Sequence, residues 1–400
     1  MAEVAPGQDE ALLAGTQAID GRTLWTLLAG NSLVLIGTGF FLPILPLVLG
    51  HRGSTSVLIG LVFAAGLAGR ALAQYPAGAL SDRVGRRPVM VVAMLVYAAL
   101  FPLYILPLPP ETLIAVRFGQ AFIGGAYAPS AAAMIGDLTG PQRRASAFSR
   151  LRASDMTGLL LGPLLGGLVA GFRLDAVFAG AMVVSLAAAV LLFFLPSVPP
   201  RRDEVQSDTA TVSPVGILRL ILPVAILGMA AFWMFGVYDT IWSLYMTSRG
   251  ASTFVVGLSF ATYALPIVIF AGLGNWSDRL GHVRAGLLSV LTYGLLAGLY
   301  PFVSSVPALV LIGFGEGTLT AAGNPAISAE VSRLAPPGAQ GRTQGVYQTA
   351  VTGAQVAGSL GAGALYLRGA APAFLSGTAV CLLAALASVL LRRARRTAAG

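Results

Sequence analysis

Five ionised side chains interrupt the apolar runs of this chain: Arg70, Arg117, Asp155, Asp239 and Glu316. Each falls where a lipid-buried segment is expected. A charge in mid-membrane costs about 2.5–3.5 kcal/mol on insertion scales, so it is functional by default. Asp239 and Glu316 are the candidates for reversible protonation, because a carboxyl withdrawn from water can load and unload a proton. Asp155 reads as an ion-pair partner of Arg70 or Arg152, and Arg70 could also snorkel to the nearer membrane surface. Tyr238 and Trp242 flank Asp239 and are taken as cavity-lining aromatics, while Asn31 adds a neutral polar group. The groups that could do chemistry are thus carboxyls, guanidiniums and aromatic rings. Their natural work is to carry a proton and bind a small apolar molecule.

The elements that position these groups follow from composition. The chain is 56 % hydrophobic, with a mean hydropathy of +0.80 and only 10 % charged residues. A spanning helix needs about 20 mainly apolar residues. Only helices and closed barrels satisfy their backbone in lipid, and these apolar runs are continuous rather than alternating, which favours helices. Twelve spans are predicted. The first six cover Leu24–Leu49, Val57–Ala77, Val89–Leu108, Thr112–Ile135, Ala145–Ala170 and Ala176–Leu195. The second six cover Val215–Tyr245, Phe254–Leu273, Ala285–Val303, Pro307–Ser332, Arg342–Leu367 and Pro372–Leu391. The polar stretch 196–214, rich in Pro, Ser, Thr, Arg and Asp, is the natural linker. The expected organisation is a tail at 1–23, six-helix bundles at 24–195 and 215–391 around that linker, and a tail at 392–400.

A repeat organises the spans. Gly78-Ala79-Leu80-Ser81-Asp82-Arg83-Val84-Gly85-Arg86-Arg87-Pro88 is a charged turn between apolar runs. It returns 196 residues later as Gly274-Asn275-Trp276-Ser277-Asp278-Arg279-Leu280-Gly281-His282-Val283-Arg284. Arg52-Gly53 returns as Arg249-Gly250, Gly60-Leu61 as Gly257-Leu258, Phe118-Gly119 as Phe314-Gly315, and Pro129 as Pro325. Two parallel six-helix halves follow, with the substrate site between them near the bilayer midplane. Glu316 stands where the repeat puts Gln120, so the halves differ in charge at one depth. All 25 basic residues are Arg. With both termini inside, 19 of them fall in inner loops and tails, four in outer loops and two within spans. The positive-inside rule then predicts cytoplasmic termini.

These motifs resemble the major facilitator superfamily over nearly the whole chain. Gly78–Pro88 resembles the family's signature loop between spans 2 and 3. Arg117-Phe118-Gly119-Gln120 with Gly124-Gly125 resembles its span-4 motif. Gly158-Leu159-Leu160-Leu161-Gly162-Pro163-Leu164-Leu165-Gly166-Gly167 resembles the span-5 motif of its exporters, above all the drug:proton antiporters. The resemblance implies that Gly78, Asp82, Arg83, Gly85, Arg86 and Asp137 form an inner gate latch. In it, Asp82 meets the start of span 11 and Arg86 pairs with Asp137. It also gives Arg117 a part in proton coupling and makes the span-5 motif an outer seal. In the second half Asp278 and Arg279 repeat the loop. There, His282 replaces Arg86 and Arg333 replaces Asp137, so a matching second latch is doubtful. The physics of Gly158, Gly162 and Gly166 at four-residue spacing is close helix approach, and Pro163 bends the helix. Together they suit a gate between the halves.

Other functions are disfavoured. The positive charge of +9 is spread over short loops, so no nucleic-acid domain carries it. No phosphate-binding loop for ATP, cofactor motif or Cys/His metal cluster is present, and the single Cys381 rules out an internal disulfide. The segment Met1–Asp20 is acidic and polar, unlike a signal peptide. A membrane-embedded enzyme would need a catalytic cluster, and a sensor would need a sizeable soluble domain. The expectation is a monomeric, multi-pass inner-membrane protein that exchanges protons for small lipophilic compounds. The alternative is a sugar or metabolite carrier, possibly an importer, with a cavity rich in Asn and Gln.

Overall fold

The computed structural model describes residues 21–139, 141–197, 213–270, 280–336 and 339–399, with backbone only at 141–145, 396 and 398–399. Asp278 and Arg279, like most of the linker and of the second charged turn, lie outside the described residues. The described chain is all-helical. Its first part contains α1 (Gly21–Phe41), α2 (Leu45–His51), α3 (Ser56–Val84), α4 (Arg86–Ala99), α5 (Pro102–Ile105), α6 (Thr112–Gly124), α7 (Tyr127–Leu138), α8 (Pro141–Ala170) and α9 (Ala176–Phe193). Its second part contains α10 (Pro214–Ser248), α11 (Thr253–Phe270), α12 (His282–Ala297), a 3-10 turn at Tyr300–Phe302, α13 (Val306–Arg333), α14 (Gln340–Tyr366) and α15 (Ala370–Ala399).

Ten helical segments among the described residues are long and apolar enough to cross a membrane. Two expected spans fall outside that count for physical reasons. The span at Thr112–Ile135 breaks into α6 and α7 at Gly125-Ala126. Pro129 has no N–H for the Gly125 carbonyl, so one helical bond is missing there. The span at Arg342–Leu367 is the continuous helix α14, but its Gln, Thr and Ser residues dilute its hydropathy. Expected spans 1 and 3 also break, before Pro46 and Pro102, for the same reason as α6 and α7. In addition, α8 starts at Pro141 rather than Ala145, and α15 runs through the expected tail to Ala399.

Buried apolar residues fall into two cores. One draws on Leu27 to Leu195, the other on Ile221 to Ala385. Each has an aromatic heart at the same place in the repeat. Phe41, Tyr104 and Phe178 cluster in the first, with ring centroids 5.0–6.3 Å apart. Tyr238, Tyr300 and Phe374 cluster in the second at 5.4–6.2 Å. Gly85 at φ 103° and Gly281 at φ 80° make matching left-handed turns into α4 and α12, a backbone region open chiefly to glycine.

The span-5 motif, on α8, packs differently from expectation. A Cβ at Gly158 would overlap Leu35, one at Gly162 would lie 2.8 Å from the Gly39 Cα, and one at Gly166 would overlap the Phe40 carbonyl. All three partners are on α1, in the same half. The face that meets the other half is turned by about 100° per residue from this one. A Cβ at Gly167 would lie 2.6 Å from the Thr253 carbonyl oxygen, and one at Gly257 would overlap the Pro163 carbonyl. Pro163 and Gly167 therefore meet the other half, while Gly158, Gly162 and Gly166 bind α8 to α1.

Those contacts lie at one end of the molecule, opposite the Gly78–Pro88 turn. At the same end the Ser56 hydroxyl donates to the Gly363 carbonyl at 2.7 Å, and the Ser243 hydroxyl donates to the Pro43 carbonyl at 2.5 Å. Among the described residues these are the hydrogen bonds that cross between the two parts. Toward the charged turn, Arg70, Gln74 and Tyr75 on α3 and Gln348 and Thr349 on α14 are exposed, Tyr75 by 88 %. The two parts touch at the far end and are separated at the charged-turn end.

Candidate translocation site

The groups named from sequence sort into three sets. The first surrounds Glu316 on α13. Its carboxyl is 1 % exposed and accepts from the Tyr238 hydroxyl at 2.7 Å and the Tyr300 hydroxyl at 2.9 Å, one on each oxygen. Trp242 is buried; its indole N–H donates to the Ser259 hydroxyl at 2.8 Å and its ring packs 4.7 Å from that of Tyr300. The aromatics expected to line a cavity beside Asp239 therefore serve the core. Tyr238 and Asp239 are neighbours in sequence, but one turn of about 100° per residue sends them to different surroundings. Tyr238 turns into the second core, to Glu316.

The first half holds a related arrangement with an amide in place of the carboxyl. The Tyr104 hydroxyl donates to the Gln120 Oε1 at 2.9 Å, as Tyr300 donates to Glu316. Where Tyr238 supplies the second donor, the first half uses Arg117, whose guanidinium reaches Gln120 Oε1 at 3.4 Å and lies 5.3 Å from the Phe41 ring centre. Gly66 makes room for it, since a Cβ there would sit 2.8 Å from the Arg117 Nε. That Nε is buried without a hydrogen-bond partner among the described residues.

The second set lies between the halves. Asp239 is half-buried and accepts from the Gln355 side-chain amide at 2.9 Å. Arg70 and Arg117, both from the first half, act electrostatically on Asp239 of the second. Arg70 makes no ion pair within 4.0 Å among the described residues. It is not the partner of Asp155, which instead accepts from the Asn31 amide at 2.8 Å and meets Arg152 at 3.5 Å. Asn31 also donates to the Ser154 hydroxyl at 2.8 Å, tying α1 to α8.

The third set is the charged turn. Arg86 is buried, and its Nε donates to Asp137 Oδ2 at 3.0 Å while its NH1 donates to Asp82 and to the Ser81 hydroxyl. Asp82 is thus held by its own loop, with its side chain 63 % exposed. Gly78 and Arg83 sit on the same exposed helix end, and Gly85 provides the turn. The second half has an ion cluster of different composition. Glu330 is 4 % exposed, accepts from Arg333 Nε at 2.8 Å and NH2 at 2.6 Å, and lies 3.9 Å from His282 Nδ1. The acid sits one helical turn before the position equivalent to Asp137. Sequence register alone passed over Glu330, as it passed over Tyr300, Tyr104 and Gln355. A search for an acid one turn from Arg333 could have found Glu330.

Comparison with known proteins agrees with this architecture. The family model described as Major Facilitator Superfamily matches residues 27–238 and 224–400. Tetracycline resistance protein, class G, of Vibrio anguillarum is 31 % identical over 365 residues, covering 83 % of this chain and 87 % of that protein. Multidrug resistance protein 2 of Bacillus subtilis is 25 % identical over 304 residues, covering 71 % and 73 %. Among solved structures, the nucleoside transporter NupG superposes with a TM-score of 0.78 at 14 % identity, covering 92 % of this chain and 98 % of that one. With both its halves matched, this chain belongs to the major facilitator superfamily and is a multi-pass membrane transporter.

Proposed function

We propose that this transporter is a proton-coupled exporter of small lipophilic compounds, built from twelve spans in two six-helix bundles that alternate access to a central site. The first bundle occupies 24–195 and the second 215–391, joined by the 196–214 linker, with tails at 1–23 and 392–400. The chain works as a monomer in the inner membrane with both termini cytoplasmic, so the charged-turn end opens inward. The observation that carries this reading is the pair of carboxyls in the second half. Asp239 faces the separation between the halves and two arginines, while Glu316 is enclosed in the core by two tyrosines. Asp239 then exchanges substrate against a proton at the cavity wall, and Glu316 holds a proton that biases the bundle. Arg117 and Arg70 set the charge of the cavity wall opposite, and Asp155 fixes α1 to α8. The relatives named for tetracycline and multidrug resistance support the substrate class.

The packing supports alternating access. The seal of Pro163 and Gly167 against Gly257, with Ser56 and Ser243, closes the outer end. In the opposite state Asp82, on the turn that Arg86 ties to Asp137, reaches the start of α14 and closes the inner end. The test is substrate-dependent proton release from proteoliposomes of the purified protein. Release in proportion to substrate movement supports antiport. Substrate movement with no proton flux, and a wild-type rate in Asp239→Asn and in Glu316→Gln, would overturn it.

A further inference from the structure

A second polar site lies away from the translocation path, at the charged-turn end of the second half. A crevice of about 160 Å³ opens between α10, α13 and α15, lined by Pro223, Val224, Glu330, Arg333, Leu334, Arg392 and Arg395. Its lining sets three apolar residues beside three guanidiniums and one buried carboxylate. The Glu330 carboxylate is already bound by Arg333, and Arg392 acts on it electrostatically as well. Arg395 reaches back to the Arg219 and Leu220 carbonyls of α10, which fixes that side chain in place. An arginine has five N–H donors, and the bonds named here use two from Arg333 and two from Arg395. Donors are left over on both, and the net charge of the lining is positive.

We propose that this crevice binds the phosphate of an anionic phospholipid, with the lipid's apolar part against Pro223, Val224 and Leu334. An arginine fork matches two phosphate oxygens. Basic crevices between spanning helices at the cytoplasmic surface are suited to anionic headgroups. The residues lie at the ends of three membrane-crossing segments, where lipid phosphates are concentrated and free phosphate is dilute. The placement at the inner leaflet rests on the orientation proposed above; the binding itself does not.

The test is native mass spectrometry of the full-length protein with phosphatidylglycerol, phosphatidylcholine or inorganic phosphate. One phosphatidylglycerol is expected to stay bound at least tenfold more strongly than phosphatidylcholine. Arg392→Gln should remove that preference, and Arg393→Gln, which deletes the same charge one residue away outside the crevice, should keep it within twofold. Leu334→Trp fills the crevice without changing any charge and should weaken the lipid at least fivefold, so the proposal stays testable if Arg392→Gln folds poorly. Equal loss in Arg392→Gln and Arg393→Gln would mean diffuse surface attraction and overturn the site. Inorganic phosphate binding as tightly as phosphatidylglycerol would overturn the lipid assignment. Because lipid retention is read without transport, failure here leaves the antiport reading untouched, and the reverse also holds.

Discussion

At the scale of single residues, the two halves run the same hydrogen-bond geometry with different chemistry. Tyr104 with Gln120 and Tyr300 with Glu316 each close at 2.9 Å between phenol and acceptor. An amide fills the first position without upsetting its core, so Glu316→Gln is expected to fold normally. It removes the proton that the carboxyl alone can carry. Substrate exchange under equal pH should continue within about threefold, while pH-gradient-driven accumulation should fall at least tenfold; a Glu316→Gln protein that accumulates substrate like wild type defeats the proton assignment. Asp239→Asn differs because Asp239 is half-buried and lies under the charge of Arg70 and Arg117 from the other half. Removing that carboxylate leaves two arginines without their opposing charge, so both exchange and accumulation should drop at least tenfold. Measuring the two assays side by side separates a substrate-facing acid from an enclosed one.

At the scale of helices, glycine spacing decides which pairs approach. Lipid offers no hydrophobic drive for helix association, and an interhelical hydrogen bond in a membrane averages about 0.6 kcal/mol. The Asn31 bonds to Ser154 and Asp155 therefore matter less to cohesion than the α1–α8 contact through Gly158, Gly162 and Gly166. Gly166→Ala would drive a methyl into the Phe40 carbonyl, and overpacking of this kind costs about 1–3 kcal/mol. A lowered melting temperature in detergent is expected, and an unchanged one would contradict the packing. Gly257→Ala should instead leave melting nearly unchanged and shift the population away from the closed outer end, because its partner Pro163 belongs to the other half. This division shows how far sequence could be read. The small-residue face, the repeat and the continuous apolar runs were legible because each rests on local periodicity. The partner of that face was not, since a four-residue repeat says which residues align but not which helix they meet. For the same reason Tyr238 and Trp242 looked like companions of Asp239 until helical rotation separated them. Glu330 stayed hidden because the repeat was aligned residue for residue, while the acid had moved by one turn of α13.

At the scale of the whole molecule, the state of the two ends is the property that transport must change. The bonds from Ser56 and Ser243 together contribute only about 1 kcal/mol at the average for membrane hydrogen bonds. The contact between the halves at the far end is therefore held mainly by close backbone approach at Gly167 and Gly257, and such a contact can part without breaking strong bonds. The latch behaves differently. Arg86 keeps both Asp82 and Asp137 while the two parts are apart at the charged-turn end, so that separation does not require breaking either pair. Asp82→Asn should thus weaken the outward-open state and slow transport while leaving the Arg86–Asp137 pair and the melting temperature in place. Cysteine accessibility checks both ends directly, because the native Cys381 is fully buried and gives little background. Tyr75 is 88 % exposed at the separated end, whereas Ser243 is 1 % exposed in the contact at the far end. Without a gradient, Tyr75→Cys should react with an impermeant maleimide at least tenfold faster than Ser243→Cys when the reagent reaches both sides. If the protein alternates access, conditions that load the outward-open state should slow the first and quicken the second together. Two rates that stay fixed, or that change independently, would mean that the ends are not coupled and that the seal at Gly257 is not a gate.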